Sequence, residues 1–156
     1  MEQFNTILHY AHSILRWAVL LAGVWAIYLA ITGVSRKRTW ETKDNKAGMW
    51  FVLFCHLQLL IGLVLYFYLK QYSIFSNMGE GMKNPEMRYW GMEHFLGNII
   101  AIAIIQYGRI ASKKAVTELA KHRKALIWFS VGMAILLLNI LWPWREFVGR
   151  SLFSGI

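Results

Sequence analysis

Residues 47–69, AGMWFVLFCHLQLLIGLVLYFYL, decide the fold class of this chain. The stretch contains no Asp, Glu, Lys or Arg. A helix of about 20 apolar residues crosses the hydrocarbon core of a bilayer, so the stretch predicts a transmembrane helix. Uncharged runs recur at 17–34, 95–108 and 125–142. Together the runs predict four spans, at about 8–34, 47–69, 90–111 and 124–142. The predicted fold class is all-α, an integral membrane, up-down four-helix bundle.

The composition supports a single membrane domain over residues 1–156. Hydrophobic residues make up 57% of the chain, which is more apolar surface than a soluble core of this size needs. The sole cysteine, Cys55, lies inside the second run, so neither a disulfide framework nor a cysteine-based metal site is expected. The amino terminus lacks the early basic region of a cleaved signal, so it is expected to form the first span.

The net charge of +9 is concentrated in two connections, at 35–46 and 109–124. Basic loops stay on the cytoplasmic side, so both termini and the middle connection are expected on the non-cytoplasmic side. The charge is therefore assigned to membrane topology, with the lipid bilayer and not nucleic acid as the partner. The basic residues of the two connections are Arg36, Lys37, Arg38, Lys43 and Lys46, then Arg109, Lys113, Lys114, Lys121, Arg123 and Lys124.

Three histidines lie in apolar surroundings on different predicted helices, His12, His56 and His94. Imidazole can stay neutral in lipid and bind iron, and facing histidines in a helix bundle are the usual ligands of b-type haem. His12 and His94 each lie within about a turn of the outer aromatic belt, so they are at the same depth and could bind one iron. His56 lies two to three turns deeper, which leaves it open as a ligand of a second haem, a hydrogen-bonding residue or a structural one.

Helical spacing also orders the residues around these histidines. His56 and Gln58 diverge by roughly 200° and cannot both point at one neighbour, while Gln58 shares a face with Gly62 that suits close helix approach. Asn98 lies one turn after His94, and Glu93 is adjacent. Gln58, Glu93 and Asn98 are therefore predicted to support the histidines.

Two arginines near the predicted outer surface, Arg16 and Arg88, could bind haem propionates, because guanidinium suits bidentate contact with carboxylates. The alternatives are that Arg16 reaches lipid headgroups and that Arg88 pairs with Glu93 or Glu86.

The two remaining histidines carry weaker signals. His9 shares a helical face with His12 and Arg16 but lies near the chain end. His122 lies within the basic run 121–124, where a solvated, interfacial position is expected.

Two rival interpretations remain open. The imidazoles of His12, His56 and His94 could instead hold a transition metal such as Zn or Cu, although no His-Glu-x-x-His motif occurs. Alternatively, the chain is a cofactor-free accessory or assembly protein whose polar side chains link helices. No residue is assigned a catalytic role under the haem, transition-metal or cofactor-free interpretation.

Five motifs resemble those of small four-span bacterial membrane proteins labelled cytochrome b. The resemblance covers nearly the whole chain and implies b-type haem and electron transfer. We accordingly expect one haem, with a second open, and one-electron transfer with a quinone or a partner redox subunit; a homo-oligomer is also open. The resemblance also implies the bacterial inner membrane and points to His12, His56 and His94. The motifs are His12-Ser-x-x-Arg16-Trp17, His56-x-Gln58-Leu-x-x-Gly62-x-x-Leu65-Tyr66, Arg88-x-x-x-x-Glu93-His94, Ser112-Lys-Lys114 and Pro143-Trp144.

A more distant resemblance is to one half of haem A synthase, a four-helix unit with a Glu-His pair like Glu93-His94. This chain contains one such half and has no histidine in its fourth predicted span.

Overall fold

The computed structural model describes residues 2–69 and 78–140, and these residues are helical with short connections. No strand occurs within them. The helices are α1 (Glu2–Ser35), α2 (Thr42–Leu69), α3 (Met78–Lys83), α4 (Pro85–Arg88), α5 (His94–Lys114) and α6 (Glu118–Asn139), with a π-helical turn at Tyr89–Glu93 between α4 and α5.

The four long helices form a bundle in which chain neighbours pack side by side. α1 and α5 each pack against both α2 and α6, so α1 and α5 lie diagonally opposite each other. Connections as short as 36–41 and 115–117 force successive helices to run antiparallel. Residues on α1 and α5 can therefore face each other across the bundle centre without the two helices touching along their length.

Three of these helices are long and apolar enough to cross a membrane, namely Gln3–Ser35, Thr42–Phe67 and the continuous segment Pro85–Lys114. The third segment includes Glu93 and His94 within the helix, as its predicted length required. α6 covers most of the predicted fourth span, 124–142, but it is not among these three helices, so the fourth span stays a prediction. Residues 141 and 142, Pro143 and the tail that follows lie outside the described residues.

Small residues let the helices approach closely in the half of the bundle nearest the two short connections, here called the loop end. Gly23 on α1 has no side chain, and a Cβ there would lie 2.8 Å from Phe51. Phe51 and Phe129 are fully buried and meet edge to face with ring centroids 5.6 Å apart. These rings fill the bundle centre at the loop end, so any internal space must lie towards the other end.

Polar groups tie the two short connections together at the loop end. Lys37 turns the chain after α1 in a left-handed conformation with φ of 49°. The Trp40 backbone N–H then donates to Glu118 Oε2, and Lys121 Nζ donates to Glu118 Oε1 at 2.6 Å. The hydrogen bond from Lys121, followed by that from Trp40, holds the pKa of Glu118 below its ordinary value.

His122 is fully buried at the loop end, and the expectation of a solvated position was wrong. Its ring fits against Gly33 of α1, where a Cβ would overlap the imidazole. Trp40 packs on the ring with centroids 5.0 Å apart, and Nε2 donates to the Thr39 carbonyl at 3.4 Å. The burial of His122 could not be predicted from its basic sequence neighbours, because the room for its ring is left by Gly33 on another helix.

Candidate functional site

A cavity of about 200 Å³ lies between α1, α2, α5 and α6 in the half of the bundle away from the loop end. Its inner walls are apolar, with Val19, Leu59 and Ile102 among them. Polar side chains from three helices and the π-helical turn also reach it. These are His9, His12, Ser13, Arg16, Gln58, Tyr66, Trp90, His94 and Asn98.

His12 and His94 line this cavity from the diagonally opposed helices α1 and α5. The two imidazoles that the sequence placed at one depth are thus brought to one internal space. Two imidazoles that reach one cavity from different helices could contact a common ligand.

The carbonyl of Asn139 on α6 holds the His94 ring. His94 Nδ1 lies 3.2 Å from Asn139 O, and Tyr89 Oη donates to the same oxygen at 2.6 Å. A carbonyl oxygen only accepts, so Nδ1 carries the proton and Nε2 carries the lone pair. Asn98 Nδ2, 3.3 Å from Nδ1, cannot then donate to it and instead donates to the His94 carbonyl at 2.6 Å. A histidine whose Nδ1–H is held by a carbonyl is oriented to bind metal through Nε2.

His12 sits against α2 at the residue pair that the sequence predicted for close approach. Gln58 Nε2 donates to the His12 carbonyl at 3.0 Å, and a Cβ added to Gly62 would lie 3.2 Å from His12 Cε1. His12 Nδ1 and Gln58 Oε1 are buried and have no hydrogen-bond partner among the described residues. Because buried polar groups normally have a partner, the two atoms make this cavity a candidate binding site.

Arg16 lies one turn from His12 and lines the same cavity. Its Nη2 lies 3.4 Å from Ser13 Oγ, and its Cζ lies 5.8 Å from the Trp17 ring centroid. A guanidinium beside two imidazoles suits a ligand that carries a carboxylate.

Arg88 and Glu93 do not line the cavity, which differs from their predicted roles. They form an exposed ion pair with Arg88 Nε 2.7 Å from Glu93 Oε1. A π-helix places residues five apart one above the other, so the π-helical turn brings these two side chains together. This contact is one of the alternatives that the sequence left open.

His56 is also absent from the cavity, and its side chain is exposed on the outer side of α2. Gln58 and Gly62 face inward, and a helix that presents this face to α1 must turn His56 away. The structure therefore removes His56 from the set of ligands within one chain.

His9 also lines the cavity that His12 lines. It was not predicted as a site residue from the sequence, because it lies near the chain end. The signal that could have identified it was the spacing of His9, His12 and Arg16, which puts all three on one helical face.

No group of three or more His, Cys, Asp or Glu side chains converges as a metal-binding cluster within residues 2–69 and 78–140. The proposed three-histidine metal site of His12, His56 and His94 is therefore not assembled.

We expect Gly97→Ala to disturb the packing of α5 against the Asn139 side chain of α6. A Cβ at Gly97 would overlap Asn139 Oδ1 and lie 2.7 Å from its Cγ. Overpacking of this kind costs about 1–3 kcal/mol of unfolding free energy, measurable by denaturant titration in mixed micelles. Gly79→Ala is the matched control, because no atom of the described residues lies within 4 Å of its added Cβ. Equal stability of the two variants would show that the Gly97 contact relaxes without cost.

Comparisons with protein-family models, curated proteins and solved structures found no match for this chain.

Proposed function

We propose that this chain is a four-span protein of the bacterial inner membrane that binds one b-type haem between His12 and His94 and transfers single electrons. The observation that carries the proposal is the shared cavity of these two histidines, which belong to diagonally opposed helices. A second haem at His56 is not part of the proposal, because His56 faces away from the cavity. The resemblance to small proteins labelled cytochrome b supports the same function.

The residues around the cavity fit a haem by their chemistry. His12 and His94 would be the residues that hold the iron through imidazole nitrogen, with the Asn139 carbonyl orienting His94. Arg16 would bind a propionate. The apolar walls would exclude water and keep the local dielectric low, which is a main determinant of reduction potential. When bound, the haem supplies a reversible one-electron change at iron, and a membrane quinone or a partner redox subunit would exchange that electron.

The proposed orientation places the cavity near the outer surface and the loop end in the cytoplasm. The connections 36–41 and 115–117 lie within the basic segments 35–46 and 109–124, and both are at the loop end, joined through Trp40 and Glu118. Basic segments are retained on the cytoplasmic side, so both termini and the cavity half of the bundle would face outward.

The proposal is tested by the absorbance spectrum of the protein purified from membranes grown with iron. A dithionite-reduced minus oxidised difference spectrum should show the α and Soret bands of low-spin b-type haem. Protein that is folded, contains no haem and takes up none when hemin is added would contradict the proposal and favour the cofactor-free accessory role.

We expect Arg16→Gln to weaken haem retention by about 10-fold, the effect of losing one hydrogen bond to a charged group. The midpoint potential should also fall, because removing a positive charge beside the iron disfavours its reduced form. Arg88→Gln is the matched control, since Arg88 pairs with Glu93 outside the cavity and should leave both quantities unchanged. Hemin titration and redox potentiometry measure the two effects. Equal behaviour of the two variants would remove Arg16 from the site.

A further inference from the structure

His56 presents an imidazole on the outer side of α2, close to the middle of the apolar segment Thr42–Phe67. Within the described part of the chain, its side chain makes no hydrogen bond and does not line the cavity. Lipid hydrocarbon offers no donor or acceptor, so a polar side chain at this depth is costly unless another protein surface covers it.

The other three long helices do not share this feature. In their central turns, the exposed side chains that the structure describes are apolar or aromatic, as expected of lipid-facing surfaces. Those of α1 are Leu21, Val24, Trp25 and Tyr28; those of α5 are Ile100, Ala103 and Tyr107; those of α6 are Ile127, Val131 and Ala134. The polar exception is thus confined to one face of one helix.

The exposed residues around His56 follow the spacing of a helix–helix seam. Met49, Leu53, His56, Leu60 and Phe67 are all exposed and follow one another at steps of four, three, four and seven residues. This heptad spacing keeps side chains on the contact line of two helices that supercoil. A single polar residue within such a seam commonly sets the register and the number of partners.

We propose that two copies of this chain pair in parallel along this seam of α2, with the two His56 imidazoles hydrogen-bonded to each other. A second copy is a suitable partner because its His56 can bond to this one. A neutral imidazole carries one donor nitrogen and one acceptor nitrogen, so two His56 side chains can share a hydrogen bond. Two copies inserted with the same topology and related by a two-fold axis along the membrane normal hold His56 at equal depth. The proposed haem site uses Gln58 and Gly62 on the opposite face of α2. Leu63, seven residues after His56, also lines the cavity and is not one of the exposed seam residues.

Cysteine cross-linking in native membranes tests which face forms the contact. Leu60→Cys places a thiol on the seam, and Val131→Cys places one on the exposed face of α6 as a matched control. The natural Cys55 is buried and should not cross-link. Oxidation with copper phenanthroline should yield covalent dimer from Leu60→Cys alone. Dimer from Val131→Cys but not from Leu60→Cys, or from neither variant, would overturn the proposal.

Substitution of His56 tests the hydrogen bond. His56→Leu keeps an apolar side chain in the seam but removes both hydrogen-bonding groups, so the dimer dissociation constant should rise about 3- to 30-fold. His56→Asn retains a donor and an acceptor, so its dimer dissociation constant should stay close to that of the natural protein. Energy transfer between labelled copies diluted in lipid measures both, and an unchanged thermal unfolding temperature shows that each variant folds. A dissociation constant for His56→Leu equal to that of the natural protein would overturn the proposal.

Discussion

His12→Ala and His94→Ala are each expected to abolish the low-spin haem spectrum and to reduce bound haem by more than 10-fold. Loss of a residue that merely orients a metal ligand already costs about 10–100-fold in affinity, and loss of the ligand itself should cost at least as much. The two variants should lose haem to a similar extent, because the two imidazoles line one cavity from α1 and α5. The ratio of Soret absorbance to protein absorbance after purification measures the loss.

The matched control for these variants is His56→Ala. His56 faces away from the cavity, so this substitution should leave the haem content and the α band unchanged. Added imidazole should restore the low-spin band in His12→Ala by entering the space that the side chain leaves, which separates ligand loss from misfolding. Full haem content in either cavity variant, or haem loss in His56→Ala alone, would contradict the assignment of His12 and His94.

Arg38→Gln is expected to be the most destabilising single change at the loop end, lowering the free energy of unfolding by about 3–5 kcal/mol. Arg38 binds Asp44 through both oxygens, at 2.7 Å and 2.5 Å, and the Asp44 side chain is only 2% exposed. The hydrogen bonds to Asp44 also raise the pKa of Arg38, which favours its charged form. Removing the guanidinium leaves a buried carboxylate with the Glu41 N–H as its remaining partner.

The partner substitution should be milder. In Asp44→Asn, Arg38 keeps its bonds to the carbonyls of Leu29 and Thr39, so the loss should be about 1–3 kcal/mol. The double variant should lose less than the sum of the two, which is the signature of direct coupling. Lys43→Gln is the control, because its pair with Glu41 is about half exposed and such pairs contribute about 0–1 kcal/mol. Denaturant titration in mixed micelles that showed Arg38→Gln no less stable than Lys43→Gln would contradict the buried pair.

Features that depend on spacing within one helix could be predicted from the sequence, whereas features that depend on contacts between helices could not. Within one helix, spacing placed His9, His12 and Arg16 on a single face, and the structure finds all three on the cavity. Spacing also separated His56 from Gln58, but it left open which of the two would face inward. That choice depends on close packing at Gly62 and on the hydrogen bond from Gln58 to the His12 carbonyl, both of which need a second helix.

The buried position of His122 and the Arg88–Glu93 pair illustrate the same limit. His122 is buried because Gly33 on another helix leaves room for its ring, so its basic neighbours suggested the opposite. Arg88 reaches Glu93 because the chain adopts a π-helical turn, and an ordinary α-helix would not align residues five apart.

The sequence by itself predicted helices long and apolar enough to cross a membrane, and the faces of those helices, because apolar run length and residue spacing are local properties of the chain. The tertiary structure decided which faces meet. It brought His12, His94 and Arg16 to one cavity, turned His56 outward and buried His122. The physical reason is that the orientation of a helix about its own axis depends on how glycines and side chains of neighbouring helices fit together, and no single segment carries that information.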